Sequence, residues 1–448
     1  MATSRLAPQV HPNLLARMQE ARARTDALFE VLPPNSLYER PIPERNRLIF
    51  YLGHLEAFDG NLLRPALGLE SEEADLDLLF AFGIDPVGGG LPTDTPADWP
   101  TIERVREYGR GVRQALDEAL NGSRASQCAS PEMADGTLLH VAVEHRLMHR
   151  ETLAYLLHDL PVEKKMAHAA PAPDHRRAPQ QRQVTIPAGV ATLGQPNENT
   201  FGWDNEFKAH SVEVPEFSID IFPVTNAEFL KFVAAGGYVD SRYWRPEDWE
   251  WKSGAALEHP HLWLRKSGSS HGLPEDRWEY QAMFGRIPLP LSWPVYVSHA
   301  EASAYCRWAG KRLPSEAQWH RAAYGAPDES EGSYPWGEAA PDLARGNFHF
   351  ESWDATPVDA HRQGASAFGL FDLLGNGWEW TSTLFAPFPD FRAAWYYPGY
   401  SANFFDGKHF VMKGGSPQTD RSMLRRSFRN WFQPRYSYVY ATFRCVEE

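Results

Sequence analysis

The segment GTLLHVAVEHRLMHRETLAYLLH, Gly136 to His158, decides how the first part of the chain is read. Apolar residues recur along it near i, i+3, i+4 and i+7, the spacing of one buried helix face, so a helix is predicted over 136–159. Working outward, stretches 12–32, 43–65 and 98–121 carry the same stripe. Four such stripes predict a helical bundle. Pro43 suits a first helical turn, and Asp98 suits an N-cap before Trp99-Pro100. A run rich in Gly and Pro, Pro86 to Pro100, joins the second helix to the third.

Residues four apart lie on one helix face, so His145 and His149 can offer two imidazoles to a single metal ion. At about 100° per residue, Glu151 and His140 lie roughly 200° and 180° round the helix from His149, so a third ligand must come from elsewhere. His54, set among apolar residues of the second stretch, is the candidate, because bundles build metal sites from facing helices. The same pattern also suits a satisfied core histidine at 54 and a partly solvated pair at 145 and 149. Glu151 reads equally as a hydrogen-bond partner of a ligand histidine or as a solvated carboxylate.

The character of the chain changes further on. Of its 16 tryptophans only Trp99 precedes residue 200. The segment KKMAHAAPAPDHRRAPQQRQ, Lys164 to Gln183, has prolines, charges and no apolar period, which reads as an exposed linker. The expected division is a bundle over 1–165, a linker over 166–183 and a second domain over 184–448. In that domain short apolar segments (VTIPAGVATLG, SVEVPEFSIDIFPVT, WPVYVS, HFVMKGGS) read as strands between long loops, with helices near 225–235 and 299–309. AGKRLPSEAQW reads as a helix end, a turn and a new helix capped by Ser315. The sum is a loop-rich α+β domain.

The net charge of −14 over 448 residues argues against a general nucleic-acid binder. Cys128, Cys306 and Cys445 are odd in number and far apart in sequence, which supports neither a disulfide framework nor a Cys-rich zinc site. The start lacks a secretory core segment, and no stretch approaches the roughly 20 apolar residues of a membrane span. A protein of the reducing cytoplasm, bound neither to membrane nor to nucleic acid, is expected.

The HxxxHxE segment at His145, His149 and Glu151, with an upstream histidine, resembles the iron site of the DinB-like bundle in the ergothioneine and ovothiol sulfoxide synthases. The later part carries the matching partner. FGWDNE (Phe201–Glu206), PVTNAEF (Pro223–Phe229), CRWAGKRLPSEAQW (Cys306–Trp319), FGLFDLLGNGWEWTST (Phe368–Thr383), KGGS (Lys413–Ser416) and FRNW (Phe428–Trp431) resemble their formylglycine-generating-enzyme-like domain. The resemblance spans nearly the whole chain and implies a multidomain protein: an all-α DinB-like four-helix bundle, then an α+β, C-type lectin-like domain. GNGWEW and KGGS also read as packing and turn devices.

The resemblance implies Fe(II) held by His54, His145 and His149, O2 as co-substrate, and hercynine, a trimethylated histidine, placed against Asn430 and Trp431. A quaternary ammonium cannot donate a hydrogen bond, so an indole face is a favoured partner. It further implies a tyrosine that donates a proton or electron, for which Tyr396, Tyr397 and Tyr400 are candidates, and a site between the domains. Two departures stand out. Members of the family that take γ-glutamylcysteine carry an Asp directly after the Asn-Trp pair, where this chain has Phe432. FYLGHLEAFDGNLL also differs from the WHLAHT-type surroundings of the iron histidine in ordinary ergothioneine enzymes and looks like the selenoneine synthase branch. The expected reaction is therefore carbon–selenium bond formation between hercynine and a selenosugar, with a sulfoxide synthase using a thiol as the alternative. Competing readings are a formylglycine-generating oxidase, which needs two reactive cysteines near the carboxy terminus, a non-catalytic lectin-like binding module, and a zinc-dependent DinB-like transferase.

Overall fold

The computed structural model describes residues 12–81, 91–121, 131–196, 200–266 and 274–447. Two compact units divide at His168. Unit 1 is helical: α1 (Pro12–Phe29), α2 (Leu48–Leu67), α3 (Ala74–Leu79), α4 (Ile102–Asn121), α5 (Pro131–Ala134) and α6 (Thr137–Asp159). α6 packs on α1 and α2, and α4 packs on α2. Its core is largely aliphatic, with Leu48, Ile49, Leu63, Leu116, Leu139 and Leu156 fully buried.

Two helix starts differ from expectation. α2 begins at Leu48, because Ile42 to Arg45 form a turn closed by the Arg45 amide on the Ile42 carbonyl, and Pro43 falls inside it. α2 ends at Gly68, whose left-handed φ of 63° no larger residue adopts as readily. Asp98 caps no long helix: its carboxylate accepts from the Thr95 amide and hydroxyl at 2.6 and 2.9 Å. The α4 start is served by Thr101, whose hydroxyl accepts from the Arg104 amide. α3 is a helix the sequence pattern missed, and Pro86 to Gly90 of the connecting run lie outside the described residues.

Unit 2 opens on residues 169–182, largely exposed and without helix or strand, yet held to the unit. Asp174 accepts from the Ser292 hydroxyl, and the Gln181 amide donates to the Phe222 carbonyl at 3.0 Å. The strands are β1 (Gln183–Ile186), β2 (Gly189–Leu193), β3 (His210–Val214), β4 (Phe217–Asp220), β5 (Trp263–Arg265), β6 (Trp278–Ala282), β7 (Gly285–Pro288), β8 (Gly377–Leu384), β9 (Phe410–Gly415), β10 (Asn430–Phe432), β11 (Ala441–Thr442) and β12 (Val446–Glu447). They form sheets in the orders β1-β4-β12, β10-β9-β8-β11, β2-β3 and β5-β6-β7. The helices are α7 (Asn226–Ala234), α8 (Pro246–Gly254), α9 (His299–Trp308) and α10 (Glu316–Tyr324), the last capped by Ser315 as expected. Trp319 of α10 centres a core with Ile186, Phe217, Ile219, Leu373 and Val446.

WPVYVS forms no strand. The Val295 and Val297 amides go singly to the Val224 and Ala441 carbonyls, and Ser298 caps α9. Gly375 and Gly414 have φ of +88° and +98°, which explains the glycines of GNGWEW and KGGS. Cys306 and Cys445, far apart in sequence, are brought to 3.4 Å as buried free thiols, whereas Cys128 lies outside the described residues. Among the described residues no helix is long and apolar enough to cross a membrane.

Candidate metal centre

The three histidines singled out in the sequence, His145 and His149 by spacing and His54 by its apolar setting, come together inside unit 1. One ligand atom from each of His54 on α2 and His145 and His149 on α6 lies within 4.8 Å of the others, and all three side chains are buried. Nε2 of His54 is 3.2 Å from Nε2 of His149. Nδ1 of His54 is 2.7 Å from the Phe80 carbonyl oxygen, which can only accept, so the His54 proton is on Nδ1 and the Nε2 lone pair faces the cluster. Aromatic rings fix the imidazole planes: Phe58 stacks on His145 at 3.4 Å and Phe50 on His54 at 4.9 Å, while Tyr51 tilts against His149 at 5.9 Å.

Burial holds all three rings neutral. His54 is lowered to about 4 by burial, against the raising effect of the Phe80 carbonyl. Burial pushes His145 and His149 well below the ordinary value, helped at His145 by His149, His54 and Arg146 and at His149 by His54, Arg45 and Arg146. Three uncharged, convergent imidazole nitrogens are the donor set a divalent metal takes. Glu151 lies half-buried beyond His149, and the acceptor that serves His54 is the Phe80 carbonyl rather than Glu151.

Behind the histidines lies a charge network that helical periodicity does not disclose. Buried Arg146 donates to Glu56 at 2.9 Å, Asp59 at 2.6 Å and the Leu55 carbonyl at 2.9 Å, tying α6 to α2. Arg113 of α4 bonds Glu56 at 2.7 Å and Asp26 of α1 at 2.7 Å. Burial alone would raise Glu56, but Arg146 and Arg113 bring its carboxyl down to about 2. The available signal was three charges, Glu56, Asp59 and Arg146, at positions on otherwise apolar helix faces.

In unit 2, Asn430, Trp431 and Phe432 form β10, paired antiparallel with β9 in the register Asn430↔Met412, Trp431↔Val411 and Phe432↔Phe410. All three are half-buried. The Trp431 indole lies flat on Phe385 at 4.1 Å, with Tyr400 edge-on at 5.4 Å and Phe404 at 5.6 Å. Arg429, paired with Glu316 at 2.9 Å, sits 5.0 Å from the same Phe385 ring. Of the three candidate tyrosines, Tyr400 meets Trp431 and also stacks on Trp203 at 3.9 Å. Tyr397 packs against Trp203 and Tyr400, and burial raises its phenol. Tyr396 meets Trp395. Phe432 stacks on Tyr436 at 5.2 Å, beginning an aromatic row that continues to Tyr438 and His261.

Fold and site together define a two-domain protein in which a helical bundle with a buried three-histidine cluster is joined to a loop-rich α+β domain. Residues 17–153 match the DinB superfamily, and residues 168–448 match the sulfatase-modifying factor enzyme 1-like domain. Hercynine oxygenase of Mycolicibacterium smegmatis is 34% identical over 430 residues, covering 92% of this chain and 94% of its own. Hercynine oxygenase of Mycobacterium tuberculosis is 34% identical over 80% of this chain and 79% of its own length. Ergothioneine biosynthesis protein 1 of Neurospora crassa is 28% identical over 94% of this chain and 56% of its own. The chain belongs to the ergothioneine-type sulfoxide synthase family.

Proposed function

We propose that the protein is an O2-dependent non-haem iron enzyme that joins a thiol donor to hercynine and releases a sulfoxide. The observation that carries this reading is the cluster of three buried, neutral histidines in a chain that matches hercynine oxygenases over most of its length. The donor set fits Fe(II): three imidazole nitrogens leave about three positions of an octahedron open. When bound, Fe(II) would supply O2 activation and a seat for the donor chalcogen. In net terms one O2 oxygen goes to sulfur. The other leaves as water with the thiol hydrogen and the hydrogen displaced from C2 of the imidazole.

The chain's own residues then bind and orient. Phe385 covers one face of the Trp431 indole, and the trimethylammonium group would take the other, an attraction worth roughly 0.5–2 kcal/mol. Asn430 would hold the polar part of hercynine. Tyr400, in contact with Trp431, is the favoured donor of a proton or electron among Tyr396, Tyr397 and Tyr400. The reading places the enzyme in the reducing cytoplasm, where Cys306 and Cys445 stay thiols. It also disfavours a formylglycine-generating oxidase. Burial and the neighbouring Cys306 push the Cys445 thiol well up, the opposite of an activated thiolate.

Carbon–selenium bond formation takes second place, because the relatives are named for hercynine oxygenation and ergothioneine biosynthesis. One observation keeps it as a second reading: Phe432 and Tyr436 offer stacked rings, and no charge, beside the Asn430-Trp431 pair, which suits a neutral sugar donor. The test is to load the protein with iron and incubate it aerobically with hercynine and, separately, γ-glutamylcysteine, cysteine, a thiosugar and a selenosugar, identifying products by mass. A hercynine sulfoxide with any thiol supports the first reading, and product with the selenosugar alone supports the second. No product and no O2 consumption with any donor refutes both and favours a lectin-like binder. Metal analysis of the purified protein separates iron from a zinc transferase.

A further inference from the structure

The His54 acceptor is not an ordinary loop carbonyl. Phe80 is the residue at the C-terminal end of α3, and the last carbonyls of a helix have no partner within it and carry the negative end of its dipole. The Phe80 carbonyl is one of these orphans, and it finds its donor in Nδ1–H of His54, 26 residues away. That bond decides which nitrogen of His54 is left as a lone pair for the cluster.

A six-residue helix cannot hold itself in place, so something must fix it. Asp77, in the middle of α3 and buried, does so. Its carboxylate accepts from Arg64 of α2 at 2.5 Å, from Tyr108 of α4 at 2.5 Å and from Ser71. Asn61 of α2 donates to its carbonyl at 3.4 Å. The Phe80 ring is also seated, with Trp99 at 6.1 Å and Tyr108 at 5.9 Å, each near-parallel to it. Gly53, the residue before His54, makes room for it: a Cβ there would come within 2.6 Å of the Phe80 ring.

We propose that α3, locked to α2 and α4 through Asp77, Arg64 and Tyr108, is a device that presents the Phe80 carbonyl to His54 and so sets the tautomer and ring orientation of one ligand of the metal centre. Asp77, Arg64, Tyr108 and Gly53 are on this account positioning residues that touch neither metal nor substrate. The proposal rests on the reading of His54, His145 and His149 as a metal site.

The test uses the full-length protein and Co(II) as the probe. In metal-free protein labelled with 15N-histidine, long-range 15N–1H spectra should show His54 protonated on Nδ1. Asp77→Asn should raise the Co(II) dissociation constant about 10- to 100-fold by chelator competition and deplete the Nδ1–H form of His54. Tyr108→Phe, which removes a single hydrogen bond, should shift both readouts in the same direction and serves if Asp77→Asn does not fold. Leu116→Ala, in the α4 core away from this relay, should lower the melting temperature and leave Co(II) affinity unchanged. Wild-type affinity in both relay variants, or an Nε2–H tautomer at His54 in the wild type, overturns the proposal alone. No Co(II) uptake by the wild type overturns the metal reading and the proposal with it.

Discussion

His149 meets His54 nitrogen to nitrogen at 3.2 Å, and with the His54 proton committed to Phe80 the pair has one hydrogen at most to share. A metal ion held there would accept both lone pairs. His149→Ala or His145→Ala is accordingly expected to reduce bound iron to near zero, measured by metal analysis, while far-UV circular dichroism stays that of the wild type. In unit 2, Trp431→Ala is expected to raise KM for hercynine about two- to thirtyfold, the equivalent of about 0.5–2 kcal/mol, with a smaller effect on kcat. His145 and His149 were legible in the sequence because side-chain identity and helical spacing both carry them, and His54 because it is a lone imidazole in an apolar stretch of a second helix. The Phe80 carbonyl was not, since every residue has a carbonyl and only the chain path shows where one points.

α6 is held to α2 by Arg146, and the two helices carry all three histidines, so this ion cluster also sets the spacing of the site. Arg146→Met is expected to destabilise unit 1 by about 3–5 kcal/mol in denaturant unfolding, because Glu56 and Asp59 would be left buried beside an apolar side chain. The long helices were readable from their apolar stripes, with starts misplaced where polar or proline-bearing turns mimic caps, as at Pro43 and Asp98. α3 escaped notice because six residues are too few for a period to show. In unit 2 the short strands β5 to β7 and α8 went unread among aromatic loops. WPVYVS looked like a strand because its apolar residues are buried, yet its amides bond two unrelated carbonyls and it joins no ladder.

The whole chain joins a largely aliphatic bundle to a tryptophan-rich domain, a contrast the composition already displays, and in the second core Phe217, Trp319, Tyr324 and Phe348 pack among aliphatic side chains. Its stability should depend on pH through histidines buried in the neutral form. His299 of α9 is lowered to about 3 by burial and by Arg245 and Arg307, although it donates to the Thr381 carbonyl at 3.2 Å. Folded protein therefore leaves His299 unprotonated between about 3 and the unfolded value of 6.5, whereas the unfolded chain takes up a proton there. Stability from this group is complete above about 6.5 and falls as the pH drops below it, at up to about 1.4 kcal/mol per pH unit. Denaturant midpoints measured from pH 7.5 to 5 should fall, and His299→Phe should make the fall shallower.

β4 pairs with β1 on one side and β12 on the other. The ribosome makes β1 and β4 early and β12 last of the three, so on a growing chain one edge of β4 waits with its amides and carbonyls unmet. At about 5–20 residues per second the wait lasts on the order of tens of seconds, whereas the bundle is complete once Asp159 has emerged. The second unit thus spends its nascent life with an open β edge, the condition that molecular chaperones exist to shield.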